Sequence, residues 1–187
     1  MSQRFEFTEL RLAGLHIIDP KPIEDSRGNL TRFFCANEFE QLGFKRPIAQ
    51  MNTTLTKQKG VVRGMHFQSP PHDHEKLVYV VKGSILDVIV DLRKKSKTYK
   101  QHISINLSED NRKSVFIPKG FAHGFIVLSK SAIFSYKVDN YYNPDSESGV
   151  LWSDLDLNID WKINKNEIIV SEKDKNLPTF NEIINPF

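Results

Sequence analysis

From Leu15 to about Asp139 the chain alternates short runs rich in Val, Ile, Phe and Tyr with turn residues, and this rhythm constrains the fold most. Branched and aromatic side chains in such short runs suit strands, and closely spaced turns join them into a sandwich or barrel. Candidate strands are Leu15 to Ile18, Leu30 to Cys35, Ala49 to Leu55, Val61 to Phe67 and Leu77 to Lys82. They continue with Ser84 to Asp91, His102 to Leu107, Ser114 to Ile117, His123 to Val127 and Ala132 to Val138. The expected class is therefore all-β, as one domain over residues 1–187. Helix is a minor ingredient. Asn37 to Leu42 predicts one short helix capped by Asn37, and weaker helical turns follow Trp152 and Asp174, the latter opening a helical tail over residues 174–187.

Strand alternation assigns faces. Lys82-Gly83 can reverse the chain, and Ile85, Asp87, Ile89 and Asp91 then share one face, opposite Leu86, Val88 and Val90. Asp87 and Asp91 would look either into a cavity or out to solvent. In Arg63-Gly64-Met65-His66-Phe67-Gln68, alternation puts Arg63, Met65 and Phe67 on one face and His66 with Gln68 on the other.

The formal charge is only +3 and the cations are scattered, which argues against a nucleic-acid or membrane surface and suits a small anionic ligand. No apolar run reaches the ~18 residues that a membrane span needs, so a soluble, cytoplasmic protein is expected. Cys35 is the one cysteine; it rules out an internal disulfide, and its apolar neighbours suggest packing rather than nucleophilic chemistry.

Three segments concentrate reactive side chains: Arg63 to Gln68, Glu75 to Val78, and Pro118 to Phe125. A neutral imidazole such as that of His66 can take a proton near neutral pH, although a lone buried histidine serves equally well to hold a carbonyl. The third segment contains Pro-x-Gly-x-x-His, ending at His123, which resembles the second motif of the cupin superfamily. A metal-binding cupin also supplies His-x-His followed by a spaced glutamate. His72-Asp73-His74 meets that halfway: Glu75 follows at once, and Val78 and Tyr79 stand where the third ligand belongs, so no metal is expected.

Taken in order, these segments resemble the dTDP-4-dehydrorhamnose 3,5-epimerase family from about Asp25 to Asp174. The resemblance is carried by Asp25-Ser26-Arg27-Gly28, Gln50 and Asn52, Gly60 to Gln68, Lys76-Leu77-Val78 and Asp87 to Arg93. It continues through Ile117 to Phe125, Tyr136-Lys137, Asn140-Tyr141-Tyr142, Glu147, Trp152 and Ser171-Glu172-Lys173-Asp174.

The resemblance implies a cupin-type jelly-roll barrel, a homodimer whose N-terminal segment packs on the partner, and no cofactor. It implies a nucleoside-diphosphate-linked 4-keto-6-deoxyhexose as substrate, inverted at C3 and C5 or at C3 alone, in deoxysugar or surface-polysaccharide synthesis. His66 is then the base, Asp174 its orienting carboxylate, Tyr136 the acid on the opposite face and Lys76 the cation on the enolate oxygen, with Asp87 and His123 nearby. Arg63 matches the arginine that holds the diphosphate and Arg27 one delivered from the partner; Gln50, Asn52 and Glu147 match further contacts to nucleotide or sugar.

The sequence departs from the family at Asn29-Leu30-Thr31-Arg32, where phenylalanines and a glutamate are usual near the nucleotide, and at Met51, Thr53, Tyr79 and Lys119. None of these removes a proton-transfer group. Two other functions compete: a metal-dependent cupin oxygenase or isomerase using His72, His74 and His123, and a noncatalytic sugar-nucleotide binder or 3,4-ketoisomerase relative.

Overall fold

The computed structural model describes residues 3–43 and 47–187. In chain order the first half holds β1 (Phe5–Glu9), β2 (His16–Pro20), β3 (Ile23–Asp25), β4 (Gly28–Leu30), α1 (Ala36–Phe39), β5 (Gln50–Thr56), β6 (Val61–Gln68) and β7 (Lys76–Lys82). The second holds β8 (Ser84–Asp91), β9 (His102–Ser108), β10 (Ser114–Ile117), β11 (Phe121–Val127), β12 (Ala132–Val138), β13 (Glu147–Gly149), β14 (Ile169–Val170) and α2 (Glu172–Lys175). One sheet runs β1-β2-β10-β7-β12-β5 and the other β13-β6-β11-β8-β9, with β14 parallel to β6. The small hairpin β3–β4 stands apart from both. This is the all-β jelly-roll barrel of the cupins.

Where apolar side chains go explains the two sheets. Val78, Val80, Ile85, Ile89, Val115, Phe125 and Phe134 meet between them as the barrel interior. Leu86, Val88, Val90, Met65, Phe67 and Ile126 point the other way and are covered by Val150, Leu157, Trp161 and Phe180 of the C-terminal segment. Strands β8 and β11 are thus buried on both faces, which is why they read as near-continuous apolar runs. A third cluster, Phe5, Ile18, Phe39, Leu77 and Phe116, seals the outside of the first sheet. Phe39 anchors α1 there with no exposed surface, a burial of the order of 2 kcal/mol.

Several local expectations change. Lys82-Gly83 makes no hairpin: the chain steps from one sheet to the other at Gly83, whose φ is +79° and where a Cβ would run into Ser131 O. The expected strand Leu30 to Cys35 ends at Leu30, because residues 31–35 find no ladder partner. Their apolar side chains bury instead by contact, Phe33 stacking on Tyr79 at 4.3 Å and Phe34 meeting Phe39 at 5.1 Å. Helix α1 begins one residue before Asn37, with Cys35 at its N-cap position and no side-chain cap, and continues as a 3₁₀ turn over Glu40–Leu42. The segment after Trp152 keeps to short turns as expected, the Asn158 N–H donating to Asp154 O at 3.0 Å and a 3₁₀ turn following over Lys165–Glu167. The helical tail shrinks to α2, which begins before Asp174 and ends at Lys175. A strand that was not among those expected, β1, pairs with β2. Among the described residues no helix is long and apolar enough to cross a membrane.

Candidate active site

The cleft begins with an irregularity in β6. His66 pairs with His123 of β11, but the next pair is Arg63 with Phe125, so Gly64 and Met65 together oppose Gly124. This bulge breaks the alternation expected from the sequence. Arg63 and His66 both turn into the barrel, while Met65 and Phe67 go to the outer core. Only glycine fits at the kink: Gly64 has φ +124°, and a Cβ there would stand 2.6 Å from Gly124 Cα.

The bulge also frees the Gly64 N–H, which donates to Asp174 Oδ2 at 3.1 Å. Asp174 reaches this point because Ser171 caps α2, accepting from the Asp174 N–H at 3.1 Å, which sets the aspartate in the first turn. Its other oxygen, Oδ1, lies 2.7 Å from His66 Nε2. Burial pushes the Asp174 carboxyl up, but the bonds from His66 and Gly64 outweigh it and hold the group below the ordinary carboxylate value. When Nε2–H donates to this carboxylate, Nδ1 of the neutral ring carries the lone pair.

Across the barrel, Tyr136 stands on β12 of the other sheet, opposite Asn52 in register and hydrogen-bonded to its side chain. Burial first, and then the Glu147 charge, push the phenol up, so it holds its proton. Lys76 keeps part of its surface open to the cleft yet is surrounded by protein. Burial lowers it to about 8, partly offset by the charges of Asp87 and Glu147. His123 lies on the same cavity, with Nε2 2.6 Å from Oδ1 of the fully buried Asp87 behind it.

These groups line a cleft of two lobes that share His66, Lys76 and Tyr136. One, of about 290 Å³, adds Arg63, His123 and Lys173; the other, of about 120 Å³, adds Gln50, Asn52, Gln68, Tyr142 and Glu147. Lys173 and Tyr142 are missing from the sequence-level set of site residues. Both lie in segments that carry the family resemblance, but what brings them in is Glu147, whose Oε2 accepts from Lys173 Nζ at 2.6 Å and Tyr142 Oη at 2.8 Å. Burial pushes Glu147 up, and these two donors bring it below its ordinary value. Asp91, the other inward aspartate of β8, serves local structure by binding Arg93, Ser96 and Thr98.

Arg27 does not reach this cleft. It sits at the turn of the exposed β3–β4 hairpin, paired with Asp25 at 2.7 Å. His72, His74 and His123 do not converge either: His72 bonds Ser146, His74 bonds Gln68 and His123 bonds Asp87. Among the described residues no group of three or more His, Cys, Asp or Glu side chains is placed to hold a metal ion.

The profile of dTDP-4-dehydrorhamnose 3,5-epimerase matches residues 9–182. The chain belongs to this family. It is 42% identical to the dTDP-4-dehydrorhamnose 3,5-epimerase of Methanothermobacter thermautotrophicus over 92% of each chain. A crystal structure of the 3,5-epimerase from Elizabethkingia anophelis superposes with a TM-score of 0.92 at 40% identity, covering 98% of this chain and 100% of that one. The epimerase from Legionella pneumophila, solved with dTDP-4-keto-L-rhamnose, gives 0.91 at 39% identity over 96% and 94%. Tyr79, Thr53 and Lys119, where the sequence reading expects other residues, do not line the cleft. Tyr79 and Thr53 lie on the outer side of the first sheet, against Phe33, Lys137 and Ser135. Lys119 pairs with Asp73 at 3.8 Å.

Proposed function

We propose that this enzyme inverts C3 and C5 of a nucleoside-diphosphate-linked 4-keto-6-deoxyhexose, the thymidine form named in its relatives being the first to test. The observation that carries this reading is the placement of His66 and Tyr136 on opposing sheets, with Lys76 on the strand beside that of Tyr136 and lining both lobes. His66 removes the proton from the carbon beside the ketone, and the C–H electron pair moves to the C4 oxygen, which becomes an enolate. Lys76 faces that developing charge with an ammonium, and His123 stands on the same wall. Tyr136 gives its hydroxyl proton to the opposite face of the carbon, the ketone re-forms, and exchange with solvent resets both residues. No oxidation state changes, so the steps need no redox cofactor.

The larger lobe, with Arg63 and Lys173, suits the diphosphate; Gln50, Asn52 and Glu147 in the smaller lobe offer donors and an acceptor to the rest of the ligand. The working form in this reading is a cytoplasmic homodimer of a single-domain chain. The exposed apolar residues Met51, Leu55 and Val81 on the first sheet favour a covering partner, and the protruding hairpin gives Arg27 the reach to meet a partner's nucleotide.

Proton NMR of the dTDP-linked 4-keto-6-deoxyglucose in deuterated water tests the reading. Wild type should exchange and invert both C3 and C5. Tyr136→Phe should still exchange deuterium from the His66 side with retention, while inverted product falls by about 10²-fold. Inversion at the wild-type rate in that variant would remove Tyr136 as the acid, and no exchange in wild type would remove the reaction itself.

A further inference from the structure

Resting on the reading above, we infer that Phe187 is a positioning residue for Lys76: its ring closes the barrel behind the lysine and keeps water from that side. The tail that carries it is strapped to the segment after β8. Asn185 Nδ2 donates to Leu92 O at 2.6 Å, Lys94 Nζ donates to Asn185 O at 2.8 Å, and the Lys94 N–H donates to Phe187 O at 3.3 Å. The Phe187 ring meets Phe67 edge-on at 5.8 Å and lies over Gly120, where an added Cβ would come within 3.7 Å of it.

Between this ring and Lys76 lies a void of only about 10 Å³, bordered also by Gln68, His74 and Phe121. A water molecule needs roughly 10 to 15 Å³ of such space, so the void has room for one at most. Phe187 is one wall of that void, and removing its ring would open the space behind Lys76 to solvent. Among the described residues, the charged and titratable groups around the lysine are Asp87 from β8, Glu147 from β13, Arg63 and His66 from β6, His123 from β11, Tyr136 from β12, Lys173 and Asp174 from α2, and Asp73 and His74 just before β7. All of them stay in place when the ring is removed. What changes is solvation, the largest influence holding Lys76 down to about 8. An ammonium so poorly hydrated interacts more strongly with a developing enolate, which gives the plug a catalytic consequence.

The test compares Phe187→Ala with Phe187→Leu, which keeps an apolar plug. Trace acetylation with acetic anhydride across pH 7 to 10, read on the Lys76 peptide by mass spectrometry, reports the lysine's titration whether or not the protein turns over. The alanine variant should move that midpoint up by about one pH unit, so that at pH 9 the charged fraction rises about fivefold. Its exchange activity with the 4-keto sugar should therefore persist at alkaline pH where wild type fades. The leucine variant should follow wild type. A folded alanine variant with an unmoved midpoint overturns the inference. If that variant does not fold, Phe187→Val, which opens part of the void, must move the midpoint upward, and no movement there overturns it equally. Absent sugar exchange in wild type would sink the proposed reaction but leave the labelling result standing.

Discussion

Two histidine–carboxylate pairs stand side by side in the barrel, His66 with Asp174 and His123 with Asp87, and the histidines are register partners on adjacent strands. Their hydrogen bonds are almost the same length, 2.7 and 2.6 Å. Their surroundings differ. The His66 side chain is 28% exposed and that of His123 only 7%. Asp174 uses both oxygens, one on His66 and one on the Gly64 N–H, whereas Asp87 Oδ2 is buried with no hydrogen-bond partner among the described residues. A ring that exchanges protons needs access and a carboxylate already satisfied, so that forming imidazolium costs little. Asp87 instead stands behind the wall, where its charge acts on Lys76 and favours the lysine's cationic form. In the proposed reaction the first pair moves protons and the second sets the field.

The sharpest way to break this contrast is to remove each imidazole in turn. His66→Asn should lower deuterium exchange at C3 and C5 by about 10³-fold or more, while His123→Asn should keep exchange measurable, with a loss of about 10²-fold or less. Both rates come from the same NMR spectrum. Equal losses would mean that the two pairs share the proton work.

A smaller effect separates the carboxylates. Asp174→Asn leaves the shape of the site but removes the charge that stabilises the imidazolium, so kcat should fall about 10²-fold. Asp87→Asn should stay within about tenfold of wild type, because its carboxylate touches His123 rather than the proton-transfer ring. Steady-state kinetics on both variants decide it, and a larger loss for Asp87→Asn would reverse the assignment.

How far this contrast could be read from the sequence depended on distance along the chain. Strands such as Ser84–Asp91, Ser114–Ile117 and Ala132–Val138 were legible because branched residues in short runs have few other uses. β1 and β14 were not: β1 carries Glu6 and Glu9, and β14 is two residues long. Alternation grouped Asp87 with Ile85 and Ile89, but both faces of β8 are apolar, so it did not decide which face looks into the barrel. That Arg63 and His66 share a face did not, because the bulge at Gly64 depends on the strand opposite. Asp174 lies 108 residues from His66, and nothing local pointed to their contact; the family resemblance alone suggested it. Lys173 was within view in the same segment, but its place in the cleft depends on Glu147 from the distant β13.

The smallest expected effect concerns stability in acid. The folded Asp174 carboxyl titrates below its ordinary value of 3.8, so the ionised form is favoured by the fold. That contribution is fully present above the unfolded value and is lost as pH falls through the lower folded value. Asp174→Asn cannot titrate and carries no such dependence. Urea unfolding should therefore find wild type more stable than the variant at pH 7, with the gap narrowing as the pH drops below about 4. Asp91 and Glu147 are also held below their ordinary values and remain in both proteins, so they cancel in the difference. A gap that stays constant down to pH 2.5 would show that Asp174 contributes through packing alone, and would weaken the claim that its carboxylate is satisfied before catalysis begins.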